Sequence, residues 1–221
     1  MDISKYAPKI PPRILEVLTS RGFTTLRPCQ TKSIDAGLFE DRNLLVCTPT
    51  ASGKTLVAEL AALNAIFHDR GKAVYVVPLR ALASEKFKTF QKDYPSLKIV
   101  LSSGDIDGRD AYLERFDLII TTSEKFDSLI RHRTPWLPSV RVVIIDEIHL
   151  LNDVSRGPTL EVLITLLRRL LPKMQMICLS ATIGNPEQLA QWLQADLVID
   201  HWRPVRLEKG VYLDGKVEFL E

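Results

Sequence analysis

The chain has 221 residues, of which 29 are lysine or arginine and 27 are aspartate or glutamate, so its formal charge of +2 is close to neutral. A chain of this length can bury a sizeable core, in one large domain or two small ones, without disulfide or metal cross-links. The charge neither requires nor excludes a nucleic-acid partner. The three cysteines show no paired spacing, and neither a signal-like stretch nor a membrane-spanning run is found. These features argue against a disulfide scaffold or a membrane partner and predict a cytoplasmic protein.

Two helices are predicted before the first strand, over residues 12–20 and 28–39, and we expect them to pack on the sheet rather than to form a separate domain. Pro12 and Pro28 suit the first turn of a helix, where a missing N–H costs nothing. Apolar, β-rich runs then alternate with helical patterns. The predicted strands cover residues 43–47, 73–77, 98–101, 118–121, 140–145, 174–179 and 197–199.

Two of the intervening helices carry apolar stripes at helical spacing. One stripe comprises Leu56, Leu60, Leu63 and Phe67, and the other comprises Leu160, Leu163, Leu167 and Leu170. The alternation predicts an α/β fold, a mostly parallel sheet with helices on both faces. We expect residues 1–200 to form this domain. Residues 201–221 would form a C-terminal extension, either a short hairpin or the start of a linker.

The turn after the first predicted strand has most features of a phosphate-binding loop. In such loops a glycine is followed by four residues of any type and then by Gly-Lys-Ser/Thr. Here Thr48 occupies the position of the first glycine, and a threonine is acceptable there if its own φ is negative. The loop N–H groups and the lysine would bind the phosphates of ATP, and the hydroxyl of Thr55 would bind Mg²⁺. The alternative is an ordinary turn with Thr50 or Ser52 as the helix N-cap. The predicted ATP-binding residues of the loop are Thr48, Pro49, Thr50, Ala51, Ser52, Gly53, Lys54 and Thr55.

Two adjacent carboxylates follow the most apolar predicted strand. Asp146 ends this strand, where a buried carboxylate would be costly unless a cation lies beside it. At an ATP site Mg²⁺ offsets that cost, and Glu147 can orient or deprotonate the attacking water. We therefore predict Lys54, Asp146 and Glu147 as catalytic residues, and Thr55 and Asp146 as metal ligands. The alternative is that Asp146 only caps the helix that follows.

Seven short segments, in this order, resemble the superfamily-two helicases. The segments that contain Pro78 and Asp146 are the most specific part of this resemblance. They are most similar to the archaeal DNA repair helicases related to the helicase domain of polymerase theta. Spliceosomal and exosome-linked RNA helicases belong to the same branch. The resemblance implies the first RecA-like lobe of a motor that uses ATP and Mg²⁺. The segments are Arg27-Pro28-Cys29-Gln30, Pro49-Thr50-Ala51-Ser52-Gly53-Lys54-Thr55, Val77-Pro78-Leu79-Arg80-Ala81-Leu82-Ala83, Ser103-Gly104-Asp105, Thr121-Thr122-Ser123-Glu124-Lys125, Asp146-Glu147-Ile148-His149 and Ser180-Ala181-Thr182.

The resemblance also assigns roles to residues outside the phosphate loop. Gln30 would contact the adenine edge, although the residue alone could equally be a polar side chain on an ordinary helix. A second set would line a groove for a nucleic-acid strand, with helix N-termini and cations near the backbone phosphates. A capping box formed by Thr121 and Glu124 is compatible with that groove and needs no ligand. The groove residues are Pro78, Arg80, Ala81, Gly104, Asp105, Thr121, Thr122, Ser123 and Lys125.

Three more residues are implied to couple loss of the γ-phosphate to movement between two lobes, namely His149, Ser180 and Thr182. For the two hydroxyls the alternative is an N-cap role before the helix that follows at Pro186. A metal-ligand role for His149 is not predicted, because no second histidine lies nearby.

A helicase motor clamps ATP between two lobes, and this sequence contains no Gln-x-x-Gly-Arg-x-x-Arg segment of the kind carried by the second lobe. We therefore expect the first lobe of an ATP-dependent DNA helicase, moving 3′ to 5′ by resemblance on single-stranded or forked DNA, with a second helicase lobe as its partner in the longer protein. The alternatives are an RNA helicase of the same branch and a nucleotide-gated nucleic-acid-binding module without turnover. A small-molecule P-loop kinase does not explain the Pro78 and Ser180 segments.

Overall fold

The structure, a computed structural model, describes residues 1–104, 110–205, 208 and 210–219, so Asp105 of the predicted groove lies outside the described residues. Among these residues, seven strands form one sheet in which all six neighbouring pairs are parallel. Their spatial order is β3-β4-β2-β5-β6-β1-β7. The strands are β1 Leu44–Cys47, β2 Lys72–Val77, β3 Ile99–Ser102, β4 Leu118–Thr122, β5 Val140–Ile145, β6 Gln175–Ser180 and β7 Asp196–Ile199.

In the part of the chain that the structure describes, seven α-helices surround this sheet, and short 3₁₀ helices complete several of the connections. One 3₁₀ helix, Ile148–Asn152, directly follows the two adjacent carboxylates after β5. The α-helices are α1 Pro12–Ser20, α2 Pro28–Asp35, α3 Lys54–Phe67, α4 Arg80–Asp93, α5 Ser123–Arg131, α6 Gly157–Leu170 and α7 Pro186–Leu193.

Both faces of the sheet are buried, because alternate strand residues belong to two hydrophobic clusters. Leu44 and Val46 of β1 face a cluster with α1–α4, whereas Leu45 and Cys47 face a second cluster with α5–α7. Burial on both faces explains why the strands read as continuous apolar runs. The predicted α/β fold is confirmed, and each strand agrees with its predicted bounds within one residue at either end.

The N-terminal helices pack on the main core as expected, since Ile14 and Leu18 of α1 share a cluster with Leu44. The predicted single helix over 28–39 is wrong at its C-terminal end. α2 ends at Asp35, because Gly37 adopts a left-handed φ of 93° and residues 38–40 form a 3₁₀ helix. The stripe on α6 is also shorter than predicted, since Leu170 at the helix end is 50% exposed.

The C-terminal extension contains the short hairpin that the sequence suggested. Strands β8 Gly210–Leu213 and β9 Lys216–Phe219 pair antiparallel across a two-residue turn. Asp214 and Gly215 have φ values of 47° and 79°, as a type I′ turn requires. Across the described part of the chain, no helix is long and apolar enough to cross a membrane.

Candidate nucleotide site and nucleic-acid groove

Three neighbouring strands, β5, β6 and β1, end at one edge of the sheet and bring the predicted ATP residues together. The phosphate loop follows β1, the carboxylates follow β5, and β6 lies between them. The loop is joined to β6 directly, because the N–H of Thr48 donates to the carbonyl of Ser180 at 3.2 Å. Ligands of open parallel sheets bind at the carboxyl ends of the strands, so this edge is the candidate nucleotide site.

The phosphate loop holds two of its residues in the left-handed backbone region. Ala51 and Gly53 adopt left-handed φ values of 65° and 100°, whereas Thr48 keeps a negative φ, so threonine fits where the first glycine usually stands. A Cβ on Gly53 would lie 2.5 Å from Nε2 of Gln30. The N-cap of α3 is Gly53 and receives no side-chain hydrogen bond, so the alternative with Thr50 or Ser52 as the cap is wrong. The first N–H groups of α3 therefore stay available to an anion.

Lys54 is held by backbone carbonyls from two strand ends. Its Nζ donates to Thr48 O at 3.0 Å and to Ser180 O at 2.9 Å. Burial lowers the pKa of Lys54, and the negative charges of Glu147 and Asp146 act in the opposite direction. The negative charges of both carboxylates therefore act on the ammonium at the phosphate loop. Phosphate oxygens could replace the two carbonyls as its hydrogen-bond acceptors.

Asp146 is fixed in position on both of its oxygens. Oδ1 accepts from the N–H of Glu147 at 3.0 Å, and Oδ2 accepts from the hydroxyl of Tyr75 at 2.9 Å. Tyr75 is fully buried in β2, and burial raises the pKa of its hydroxyl well above the ordinary value, with the Asp146 charge adding to the effect. The hydroxyl therefore stays a donor. Tyr75 was not anticipated from the sequence.

Glu147 adopts a left-handed φ of 53°, which is uncommon for a residue with a side chain. Strained residues of this kind cluster at functional sites. The 3₁₀ helix that follows has Glu147 at its N-cap and no side-chain capping bond. The alternative in which Asp146 caps the next helix is therefore wrong, because its carboxylate bonds to the N–H of Glu147 and to Tyr75 instead.

A lysine that the sequence analysis missed lies between the two predicted metal ligands. Nζ of Lys86, on α4, donates to Oγ1 of Thr55 at 3.1 Å and lies 3.7 Å from Oδ2 of Asp146. A hydroxyl and a carboxylate that gather around one cation are a suitable donor pair for Mg²⁺, which takes few protein ligands and completes its shell with water and phosphate. Accordingly, the described residues contain no cluster of three or more His, Cys, Asp or Glu side chains around one metal position.

Gln30 is 3% exposed, and both ends of its amide are already bonded to the chain. Its Oε1 accepts from the N–H of Arg27 at 2.8 Å, and its Nε2 donates to Gly53 O at 3.1 Å. Arg27 also donates to Ala51 O at 2.6 Å. Both residues therefore support the shape of the phosphate loop, and contact between Gln30 and adenine remains a prediction.

The three predicted coupling residues lie close to the nucleotide site but in different environments. Nδ1 of His149 lies 3.3 Å from Oε2 of Glu147. Ser180 is fully buried at the end of β6, whereas Thr182 is exposed just beyond it. The N-cap of α7 is Asn185, without a side-chain capping bond, so the alternative capping role of the two hydroxyls is wrong. Their coupling role remains a prediction.

Further along the same edge, the ends of β2, β4 and β3 surround a cavity of about 280 Å³. Five of the predicted groove residues line it, and the sequence analysis missed Arg156, which also lines a small cavity beside Asp146 and Glu147. The lining residues are Pro78, Leu79, Arg80, Gly104, Thr122, Glu124, Lys125 and Arg156. The cavity and the nucleotide site are therefore neighbours along one edge of the sheet.

The other described residues of the predicted groove do not line this cavity. Ala81 is exposed at the start of α4, and Ser123 is buried. Thr121 is also buried, and its hydroxyl donates to Ser102 O at 2.7 Å, so this side chain turns away from the groove. The capping residue of α5 is Thr122, which accepts from the N–H of Lys125 at 3.4 Å, so the predicted capping box of Thr121 and Glu124 is wrong.

Lys125 is 4% exposed and pairs with Asp110 at 2.6 Å. Arg80, by contrast, is exposed at the first turn of α4. Of the two cations that the sequence analysis placed in the groove, Arg80 is therefore the more accessible to a phosphate, since Lys125 already balances an acidic side chain.

The chain is similar to helicases in both sequence and structure. The ATP-dependent DNA helicase Hel308 of Pyrococcus abyssi (strain GE5 / Orsay) is 51% identical over 207 residues, a match that covers 93% of this chain and 28% of that protein. For Hel308 of Methanocaldococcus jannaschii the identity is 48% over 216 residues, covering 94% of this chain and 18% of that protein. The chain thus spans less than a third of the length of these relatives.

The crystal structure of the DUF1998 helicase MrfA bound to DNA superposes on this fold with a TM-score of 0.74 and 26% sequence identity. The match covers 87% of this chain and 30% of that chain. A family model described as DEAD/DEAH box helicase matches residues 27–189. Because that match extends over most of the sequence, the chain belongs to the DEAD/DEAH box helicase family.

Proposed function

We propose that this chain is the ATP-binding and ATP-hydrolysing first motor lobe of an ATP-dependent DNA helicase. The observation that carries the proposal is the convergence of Lys54, Asp146 and Glu147 at the ends of β1 and β5, on either side of β6, where the two carboxylates act on the charge of the lysine. They come from segments more than ninety positions apart along the sequence. A fold alone does not require a lysine and two carboxylates to converge in this way.

In the proposed reaction the chain binds the phosphates of ATP and prepares a water molecule for attack. The free N–H groups at the start of α3 and the ammonium of Lys54 would bind the β- and γ-phosphate oxygens. Thr55 and Asp146 would hold Mg²⁺, which supplies positive charge to the phosphates. Glu147 would accept a proton as the water oxygen bonds to the γ-phosphorus. The bond from that phosphorus to the bridging oxygen breaks, leaving ADP and phosphate.

We place a single strand of DNA in the groove at the ends of β2, β4 and β3. Arg80 and the N–H groups at the start of α4 would contact its backbone phosphates. DNA is favoured over RNA because the similar proteins are named DNA helicases and the superposed helicase is bound to DNA. Forked DNA as a substrate, 3′ to 5′ movement and a second lobe that completes the clamp belong to the same proposal. So does a location in the cytoplasm, a reducing compartment that suits the three buried free thiols of the chain.

Replacing Glu147 with glutamine in the longer protein tests the proposal. The variant should bind ATP as the parent does, since Gln keeps the shape, but hydrolysis should slow by about 10²–10⁴-fold because the proton acceptor is lost. ATP hydrolysis and ATP affinity are measured side by side, with single-stranded DNA and then RNA of the same sequence. Stimulation by DNA above RNA is expected.

Glu161→Gln is the matched control, because Glu161 is exposed on α6 and has the same side chain. Unchanged hydrolysis in Glu147→Gln would show that Glu147 does not activate the water. ATP binding without hydrolysis in the parent would instead favour a binding module without turnover. The isolated chain should hydrolyse ATP slowly, because a stabilising arginine from a second lobe can change turnover by about 10³–10⁵-fold.

A further inference from the structure

Among the described residues outside the predicted site, Lys86 is the one whose charged ammonium contacts both proposed metal ligands. It lies on α4, with its side chain 20% exposed, and Nζ is 3.1 Å from Oγ1 of Thr55 and 3.7 Å from Oδ2 of Asp146. The same ammonium is 5.5 Å from the centre of the Tyr75 ring. The lysine is therefore enclosed by the tyrosine that holds Asp146 and by the two groups that would hold the metal.

This position conflicts with a metal bound to the same two oxygens. Mg²⁺ binds oxygen at about 2.0–2.1 Å. An ion at that distance from Oγ1 of Thr55 and close to Asp146 would be a near neighbour of Nζ, with both carrying positive charge. Charges of like sign in a partly buried site repel strongly. The ammonium and the metal therefore exclude each other at the Thr55–Asp146 pair.

We propose that Lys86 is a positioning residue that serves as the resident cation of the Thr55–Asp146 pair and is displaced when Mg²⁺ arrives with the nucleotide. This inference rests on the proposed function, because it requires that the pair binds the metal. In its resident position the ammonium keeps the two ligands facing one point and offsets the partly buried charge of Asp146. On displacement it leaves a prearranged pair of oxygens to the metal.

The displacement has a direct route to the DNA groove. Lys86 is six residues after Arg80 on the same helix, which corresponds to about 9 Å along its axis. The first turn of α4 lines the groove, and its last turns pack into the core through Phe90. Ala83 and Phe90 keep α4 on the core on either side of Lys86, so displacement of the ammonium would change the polar contacts of a helix whose start is proposed to bind DNA. The state of the metal site would be passed to the groove through α4.

The test compares the Mg²⁺ requirement of nucleotide binding in Lys86→Met, Lys86→Arg and Lys88→Met. Lys88 is exposed two residues along the same helix and is the matched control. A fluorescent ADP analogue is held at fixed concentration and Mg²⁺ is titrated, and Mn²⁺ binding is followed independently by electron paramagnetic resonance. Lys86→Met should lower the Mg²⁺ midpoint by about fivefold or more, because the competing cation is gone. Lys86→Arg, which keeps the charge, and Lys88→Met should leave it near that of the parent.

A merely structural role would alter thermal stability without tightening the metal. An unchanged or higher Mg²⁺ midpoint in Lys86→Met would therefore overturn the inference, and Lys86→Gln provides the same test if the methionine variant does not fold. If the parent chain shows no Mg²⁺-dependent binding of the ADP analogue, the proposed function fails and this inference fails with it. If the parent does and Lys86→Met is unaltered, only the role of Lys86 is lost.

Discussion

The two halves of the sheet edge differ in how firmly the chain holds its own functional side chains. At the ends of β5, β6 and β1, Lys54 is bonded to two backbone carbonyls and Asp146 to a buried hydroxyl and an N–H. At the ends of β2, β4 and β3, Arg80 is exposed, and a Cβ added to Gly104 would meet no atom of the described residues within 4 Å. The nucleotide half is prearranged by the fold, whereas the groove half leaves space around its polar groups.

This difference corresponds to what each half is proposed to do. Phosphoryl transfer depends on charges that are already in place, so mobility of Lys54 or Asp146 would cost rate. A strand of nucleic acid is bound mainly through its repeating backbone, which tolerates an adaptable surface. The two halves meet where β2 lies beside β5, with Tyr75 opposite Ile144 in the ladder. Tyr75, Lys86 and Arg156 all lie at this boundary.

The largest expected effect compares one glycine from each half. A Cβ on Gly157, at the start of α6, would lie 2.2 Å from the carbonyl oxygen of Leu151 in the 3₁₀ helix after the carboxylates. Gly157→Ala should therefore lower the free energy of unfolding by about 3 kcal/mol, at the upper end for overpacking. Gly104→Ala should change it little, because no atom of the described residues lies within 4 Å of the added Cβ. Urea denaturation of both variants makes the comparison, and equal losses would show that the halves are packed alike.

A smaller effect is expected at the boundary between the halves. Tyr75→Phe removes the hydroxyl that donates to Asp146 but keeps the ring in the core. Because the acceptor is charged and partly buried, the free energy of unfolding should fall by about 1.5–2 kcal/mol. Tyr212→Phe, on the exposed hairpin, should have no effect. If denaturation curves of the two variants coincide, Tyr75 does not hold Asp146 in solution.

The smallest effect is expected in the groove. Arg80→Gln should weaken binding of single-stranded DNA by about threefold and reduce the slope of log affinity against log salt by about 0.7, the amount for one phosphate contact on a single strand. Affinity for nucleotide should not change. Fluorescence anisotropy at several salt concentrations measures both quantities, with Arg169→Gln on the exposed end of α6 as the control. A salt slope that is unaltered by Arg80→Gln would place the DNA elsewhere.

The same division explains how much could be predicted from the sequence. The strands, the phosphate loop and Asp146 were predictable because each depends on local signals, namely apolar runs, a Gly-Lys-Thr turn and a carboxylate at a strand end. The roles of Tyr75 and Lys86 could not be predicted in this way. They depend on β2 lying beside β5 and on α4 packing over Tyr75 of β2. A buried tyrosine in a strand looks like any core residue, and a lysine on a helix looks solvated.

Errors of a single residue also came from tertiary context. Thr121 and Thr122 offer the same hydroxyl to a capping motif, and the choice depends on where β4 ends and α5 begins. Thr121 is still inside the sheet and bonds to β3, so Thr122 becomes the cap. The structure therefore brings five of the predicted groove residues together around one cavity but does not turn every predicted side chain toward it, and DNA binding there stays a prediction.

The central claim is that Lys54 and Asp146 hold one metal-bound nucleotide, and binding of a fluorescent ADP analogue with Mg²⁺ or with EDTA tests it most directly. The parent should bind more tightly with Mg²⁺. Lys54→Met should weaken binding by about 10-fold or more in both conditions, because a charged hydrogen-bond donor to phosphate is lost. Asp146→Asn should remove the gain from Mg²⁺ and leave binding in EDTA intact. Full retention of the Mg²⁺ gain in Asp146→Asn would contradict the account.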